Sequence, residues 1–189
     1  MHIFLQGQRG IGKSTVIRKV LEIITTEKPV LFGGFFTWKD GNEDPNIYIK
    51  PAADYYSEND RKRLTTSRDA VNGEKRLIAS RDPVNGGMKC DVRAFEETGV
   101  RLLDCKNAGL ILMDELGFLE RDAKCFKQAV YDRLEGDVPI LGVLRLAEIP
   151  WFEPIINNPK VKLISVDETN RDSLPRELAD MLLPALCRP

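Results

Sequence analysis

The run Gly7-Gln8-Arg9-Gly10-Ile11-Gly12-Lys13-Ser14 constrains this chain more than any other feature. It matches G-x-x-x-x-G-K-[ST] and stands between a short apolar run, Ile3 to Leu5, and a stretch where Val16, Ile17, Val20, Leu21, Ile23 and Ile24 recur at helical spacing. Strand, glycine-rich turn and helix N-terminus together cradle phosphates. The glycines let backbone N–H groups approach without a clashing Cβ, and the helix contributes its positive dipole end. The candidate phosphate contacts are Gly7, Gln8, Arg9, Gly10, Ile11, Gly12 and Thr15. Lys13 supplies a point charge to the β- and γ-phosphates, and the Ser14 hydroxyl is a candidate ligand for Mg²⁺, a hard cation that takes oxygen donors.

Behind this motif, short apolar runs alternate with helical patterns, which predicts βαβ units and a largely parallel sheet. Val30 to Phe36, Leu110 to Met113, Ile140 to Leu144 and Val161 to Val166 follow as strands. Their continuous apolar character suits strands covered on both faces. Helices are expected near Ala123 to Leu134, Trp151 to Asn157 and Ser173 to Leu186, the last capped by Asp172 or Ser173. The expectation is an α/β chain with one domain over 1–189 and an irregular insertion or lid at about 40–93. That insertion contains a near-repeat, Ser67-Arg68-Asp69-Ala70-Val71-Asn72-Gly73 against Ser80-Arg81-Asp82-Pro83-Val84-Asn85-Gly86. Each copy ends in an Asn-Gly hairpin signal, which reads as a duplicated surface loop or hairpin. As a lid, it would make Arg68 and Arg81 phosphate contacts.

A nucleotide site also needs a carboxylate for the metal and a group to activate water. Leu110-Ile111-Leu112-Met113-Asp114-Glu115 places both at the end of a buried strand, where ligands bind in open α/β sheets. Asp114 is the candidate metal holder, and Glu115 the candidate base or water-orienting group. Glu120, beyond Gly117, is a second candidate for positioning water, or it compensates a helix dipole. Arg145 is a weaker candidate for sensing the γ-phosphate, and no residue reads as an arginine finger. His2, the sole histidine, sits at the edge of the first strand and reads as structural.

Composition removes several classes. With 28 basic and 29 acidic side chains the net charge is −1, which argues against nucleic acid as a partner. No apolar run approaches the roughly 18 residues of a membrane span, and the N-terminus lacks a basic n-region and cleavage site. Cys90, Cys105, Cys125 and Cys187 are dispersed without a C-x-x-C pair, so a reducing cytoplasm is the expected compartment. No N-K-x-D sequence is present, which argues against a guanine-specific GTPase.

This set of motifs resembles the small P-loop nucleoside-triphosphatases of the THEP type. The resemblance rests on Gly7 to Ser14, on Gly34-Phe35-Phe36-Thr37, on Asp114-Glu115-Leu116-Gly117-Phe118-Leu119-Glu120, and on Val166-Asp167-Glu168-Thr169-Asn170-Arg171-Asp172. It implies a three-layer P-loop NTPase fold with a mostly parallel central sheet. It also implies slow Mg²⁺-dependent hydrolysis of ATP, GTP, CTP and UTP with low base selectivity, and Asn170 and Arg171 as contacts to base or phosphates. Those two residues also suit a helix-entry cap with a surface ion pair. The chain departs from the family after the G-F-x-T segment, where Trp38-Lys39-Asp40-Gly41 replaces the usual acidic and basic residues, and through Pro45 to Arg93. Two other readings remain open at this point: a P-loop kinase acting on a nucleotide or small molecule, and a nucleotide-dependent adaptor.

Overall fold

The computed structural model describes residues 1–40, 46–55, 75–82 and 86–187. Its centre is a sheet of order β5-β4-β3-β2-β6-β7-β1-β8. The strands are β1 (His2–Gln6), β2 (Phe32–Lys39), β3 (Ile47–Pro51), β4 (Arg76–Arg81), β5 (Met88–Cys90), β6 (Leu110–Leu116), β7 (Ile140–Leu144) and β8 (Val161–Ser165). β2, β6, β7, β1 and β8 run parallel, whereas β3, β4 and β5 extend the sheet antiparallel from β2. β7 lies between β1 and β6, so an extra strand separates the phosphate-loop strand from the strand carrying Asp114.

The apolar runs are continuous because alternate residues serve two cores. Ile3 and Leu5 of β1, Leu110 and Leu112 of β6, and Leu141 and Val143 of β7 face one cluster. Phe4, Ile111, Met113, Ile140 and Leu144 face the other. On the first side lie α1 (Lys13–Glu27) and α6 (Leu174–Leu182), which bury Val16, Ile17, Val20, Leu21, Ile24, Leu178 and Leu182. On the second lie α2 (Val92–Ala94), a π turn over Phe95–Gly99, α3 (Val100–Leu103), α4 (Lys124–Glu135) and α5 (Glu153–Ile156). Helices on both faces of the sheet give the expected three layers, with the two-face burial that a parallel sheet requires.

Three expectations need correction. Part of the stretch read as irregular is regular strand: β3, β4 and β5 all fall within 40–93. The helical segment from Val92 to Leu103 was not anticipated, although Asp91 accepts the Ala94 N–H as an N-cap and Phe95, Leu102 and Leu103 are spaced for one face. The last helix receives no side-chain cap: the Ser173 hydroxyl donates back to the Asn170 carbonyl at 3.2 Å, and that same carbonyl accepts the Leu174 N–H. Of the near-repeat, the first copy lies outside the described residues. Of the second, Ser80 to Asp82 and Gly86 are described: Ser80 and Arg81 end β4, and Gly86, at φ +65°, donates its N–H to the Asp82 carbonyl. Among the described residues no helix is long and apolar enough to cross a membrane.

Candidate nucleotide site

The candidate residues converge at the C-terminal edge of the parallel strands. α1 starts at Gly12, whose φ of +110° is left-handed, and no side chain caps the helix or adds an acid to its first turn. The N–H groups at that end, orphaned as at every helix start, therefore point toward the loop without a capping side chain. Gly10 at φ +84° continues the left-handed path. Gly7 is required for a different reason: a Cβ there would lie 2.5 Å from the Val166 carbonyl oxygen. Lys13 folds across the loop, and its Nζ donates to the carbonyls of Gly7 at 2.8 Å and Gln8 at 2.9 Å. These are ordinary neutral acceptors, so a phosphate offers the ammonium a stronger, charge-assisted partner.

Asp114 emerges at the end of β6, where it is 6% exposed and paired in register with Phe36 of β2. Its carboxylate hydrogen-bonds with the Ser14 side chain and with Tyr55. Burial, and then the neighbouring Glu115, push its pKa up to about 7, against the pull of Ser14, Lys13 and Tyr55. A buried carboxylate next to a hydroxyl and held toward neutrality is a site short of positive charge. Ser14 and Asp114 are hard oxygen donors of the kind Mg²⁺ takes, and no group of three or more His, Cys, Asp or Glu suited to a metal occurs among the described residues. Two donors fit Mg²⁺, which fills most of its octahedron with water and phosphate oxygens and not with a full protein cage.

Glu115 is half-buried beside Asp114 and makes no hydrogen bond among the described residues. Glu120 differs sharply: it is 1% exposed, and its Oε2 accepts the Gly117 N–H at 2.9 Å. Burial pushes its pKa up to about 7. The Gly117 carbonyl is held in turn by the Trp151 indole N–H at 3.1 Å, so Glu120 and Trp151 clamp both ends of one peptide turn. Arg145 lies exposed above the Phe118 ring, 5.4 Å from its centre, with its charge felt at Glu120.

The remaining candidates divide. Arg171 comes to the phosphate loop, its Cδ 4.0 Å from where a Gly12 Cβ would stand. With Gly10, Ile11, Thr15 and Lys19 it lines a cleft of about 260 Å³ at the start of α1. Asn170 is committed to its own loop instead: its side chain donates to the Ser165 carbonyl at 2.9 Å and accepts the Asp167 N–H at 3.0 Å. Arg81 donates to the Gly86 carbonyl within its hairpin. Arg68 lies outside the described residues. His2 is fully buried at the opposite end of the sheet, with Nε2 2.9 Å from the Leu134 carbonyl, as a structural histidine would be.

Tyr55 is the site residue that pattern reading missed. Its hydroxyl donates to the Ser14 carbonyl at 3.0 Å and meets Asp114, and its ring packs edge-on against Phe36 at 5.0 Å. It follows the short 3₁₀ turn Ala52–Asp54 after β3, far from any motif in sequence. No periodicity marks such a residue.

Comparison with known proteins identifies a family and a fold. The family model described as NTPase matches residues 2–179. The nucleoside-triphosphatase THEP1 of Thermotoga sp. (strain RQ2) is 25% identical over 185 residues, covering 96% of this chain and 95% of that protein. The crystal structure of THEP1 from the hyperthermophile Aquifex aeolicus superposes with a TM-score of 0.72 at 21% identity, covering 96% of this chain and 99% of the other. The solution structure of a human cancer-related nucleoside triphosphatase superposes with a TM-score of 0.68 at 22% identity, covering 100% and 99%. These two likenesses are of fold.

Proposed function

The chain belongs to the NTPase family, and from that premise we propose that it hydrolyses nucleoside 5′-triphosphates to the diphosphate and phosphate in a Mg²⁺-dependent reaction. The observation that carries this reading is the meeting of Ser14 with Asp114 at the mouth of a loop whose helix N-terminus has no side-chain cap and no acid in its first turn. Backbone N–H groups of Gly10 to Ser14 bind the phosphates, and Lys13 leaves its two carbonyl partners to neutralise them. Ser14 and Asp114 would hold the metal, which when bound would offset phosphate charge. Glu115, whose side chain has no hydrogen-bond partner among the described residues, orients the attacking water and takes its proton as the oxygen bonds to the γ-phosphorus; the β–γ bridging oxygen leaves with the diphosphate.

Glu120 is a positioning residue in this reading, because it acts through the Gly117 turn that follows Glu115. The cleft beside Arg171 takes the nucleoside, and its lining of loop backbone, Ile11, Val16, the long side chains of Lys19 and Arg171 and the carboxylate of Asp172 suits low selectivity among ATP, GTP, CTP and UTP.

The test is phosphate release from each of the four nucleotides with and without Mg²⁺. Lys13→Ala removes a charge aimed at the transferring phosphoryl group and should lower turnover by about 10² to 10³. Glu115→Gln should do likewise while nucleotide binding persists. Full turnover in Lys13→Ala would end the proposal. Nucleotide consumption only with an added phosphoryl acceptor would turn it into a kinase.

A further inference from the structure

The layer of α1 and α6 ends near β2, leaving one face of the antiparallel extension without a helix over it among the described residues. That face is built by register. Trp38 of β2 is paired with Tyr48 of β3 and Phe36 with Lys50, while Tyr48 is paired with Leu77 of β4, two residues from Lys75. Alternation puts all six side chains on one side, opposite Phe35, Ile49 and Ile78, which enter the core. Trp38 and Leu77 are each 39% exposed. The Trp38 and Tyr48 rings lie 5.6 Å apart. Lys50 Nζ sits 5.6 Å from the Phe36 ring centre and 5.7 Å from that of Trp38, and Lys75 Nζ 5.3 Å from Trp38 and 4.7 Å from Tyr48.

Two ammonium groups thus share one indole, and neither has a carboxylate partner among the described residues. Like charges gathered over aromatic rings, with no carboxylate paired to them among the described residues, call for an anion with a planar group. We propose that this face binds single-stranded nucleic acid, with bases stacking on Trp38 and its neighbouring rings while Lys50 and Lys75 move aside onto phosphates. A stacked base is worth more than an exposed cation–π contact, so the exchange is favourable. Among the described residues nothing walls the face in, which favours a strand over a mononucleotide. Several rings and two cations side by side on a sheet reward a ligand that engages them in succession, whereas a single small ligand needs an enclosing pocket. The net charge of −1 does not oppose this, because it is the local arrangement that the phosphates meet.

The test is fluorescence anisotropy of a labelled octauridylate titrated with the full chain, without nucleotide, between 50 and 200 mM salt. Neutralising two phosphates should give a slope of log K against log salt of about −1.4, or roughly sevenfold weaker binding across that range. Trp38→Ala should weaken binding by roughly 5- to 150-fold, Trp38→Phe by much less, and Lys50→Gln with Lys75→Gln should flatten the salt slope. Lys13→Ala should bind the octamer like the parent. Absence of binding, indifference to the Trp38 and lysine changes, or loss of binding in Lys13→Ala would each overturn the proposal, the last by placing the strand in the phosphate loop. So would competition by uridine monophosphate as effective as by the unlabelled octamer. All readouts are binding, so they stand apart from the fate of the hydrolysis reading.

Discussion

The two halves of the sheet obey different rules. In the parallel half, every residue of β7 and nearly every residue of β6 is buried, and the two faces are covered by different helices. In the antiparallel half, β4 and β5 show exposed residues along most of their length, and one face carries lysines over aromatic rings. Burial on both sides leaves no room for polar character, so it imprints a continuous apolar run on the sequence; burial on one side imprints only every second residue, and bulges blur even that. One such register shift falls between Ile47 and Tyr48.

The contrast sets an order of expected effects. Phe126→Ala strikes deepest outside the phosphate site, because this fully buried ring on α4 contacts Phe35 at 5.5 Å and Phe95 at 5.3 Å. A loss of about 3 to 5 kcal/mol is expected, seen as a lower urea midpoint with unchanged m-value. A loss near zero would mean that the parallel half is not the stabilising core.

His2 tests the far end of the same half through pH. Burial first, and then the N-terminal charge, lower its pKa from 6.5 to about 4. The unfolded chain therefore binds the proton more readily. The contribution of neutral His2 is intact above pH 6.5 and is lost as pH falls toward 4, by up to about 3 kcal/mol. Glu120, raised from 4.5 to about 7 by burial, has the opposite sign: folding favours its protonated form, so its contribution is full below pH 4.5 and is lost as pH rises from there to 7. The two are separated by urea titrations at pH 4.5, 6.5 and 8 on the parent, His2→Gln and Glu120→Gln. Both windows lie between about pH 4 and 7, so sign separates them: between pH 4.5 and 6.5 His2→Gln should remove a rise in stability with pH, and Glu120→Gln should remove a fall.

Tyr55 joins the halves, bridging the end of β3 to Ser14 and Asp114. Tyr55→Phe keeps the ring against Phe36 and removes the hydroxyl, so a cost of about 1 kcal/mol is expected in thermal unfolding. The smallest effect belongs to Leu77→Thr on the open face, within about 0.5 kcal/mol. A large loss there would show that the face is covered and not open.

Legibility followed the same division. The strands at β1, β6, β7 and β8 and the helix after the phosphate loop follow from apolar runs and motif order. The strands β3 to β5 did not, since each is six residues or shorter, carries Lys, Pro or Arg among its apolar residues, and stands among stretches rich in Asp, Asn and Gly. Of the candidate site, Gly7 to Ser14, Asp114 and Glu115 were readable because they are consecutive residues at element ends. Tyr55 and the Glu120–Gly117–Trp151 clamp were not, since their partners lie 34 or more residues apart in two of the three contacts.

By itself the sequence determined a phosphate-binding loop, the strand that carries a carboxylate to it, and the doubly covered sheet that holds both. Local chemistry suffices there: glycine permits left-handed turns, helix starts leave N–H groups bare, and buried strands exclude charge. Only the tertiary structure decided which acid is free and which is tied down, what stands over Ser14 and Asp114, and where the lysines of a near-neutral chain gather. Those are settled by which distant residues pack together, and burial and proximity, not residue type, then set charge and hydrogen bonding.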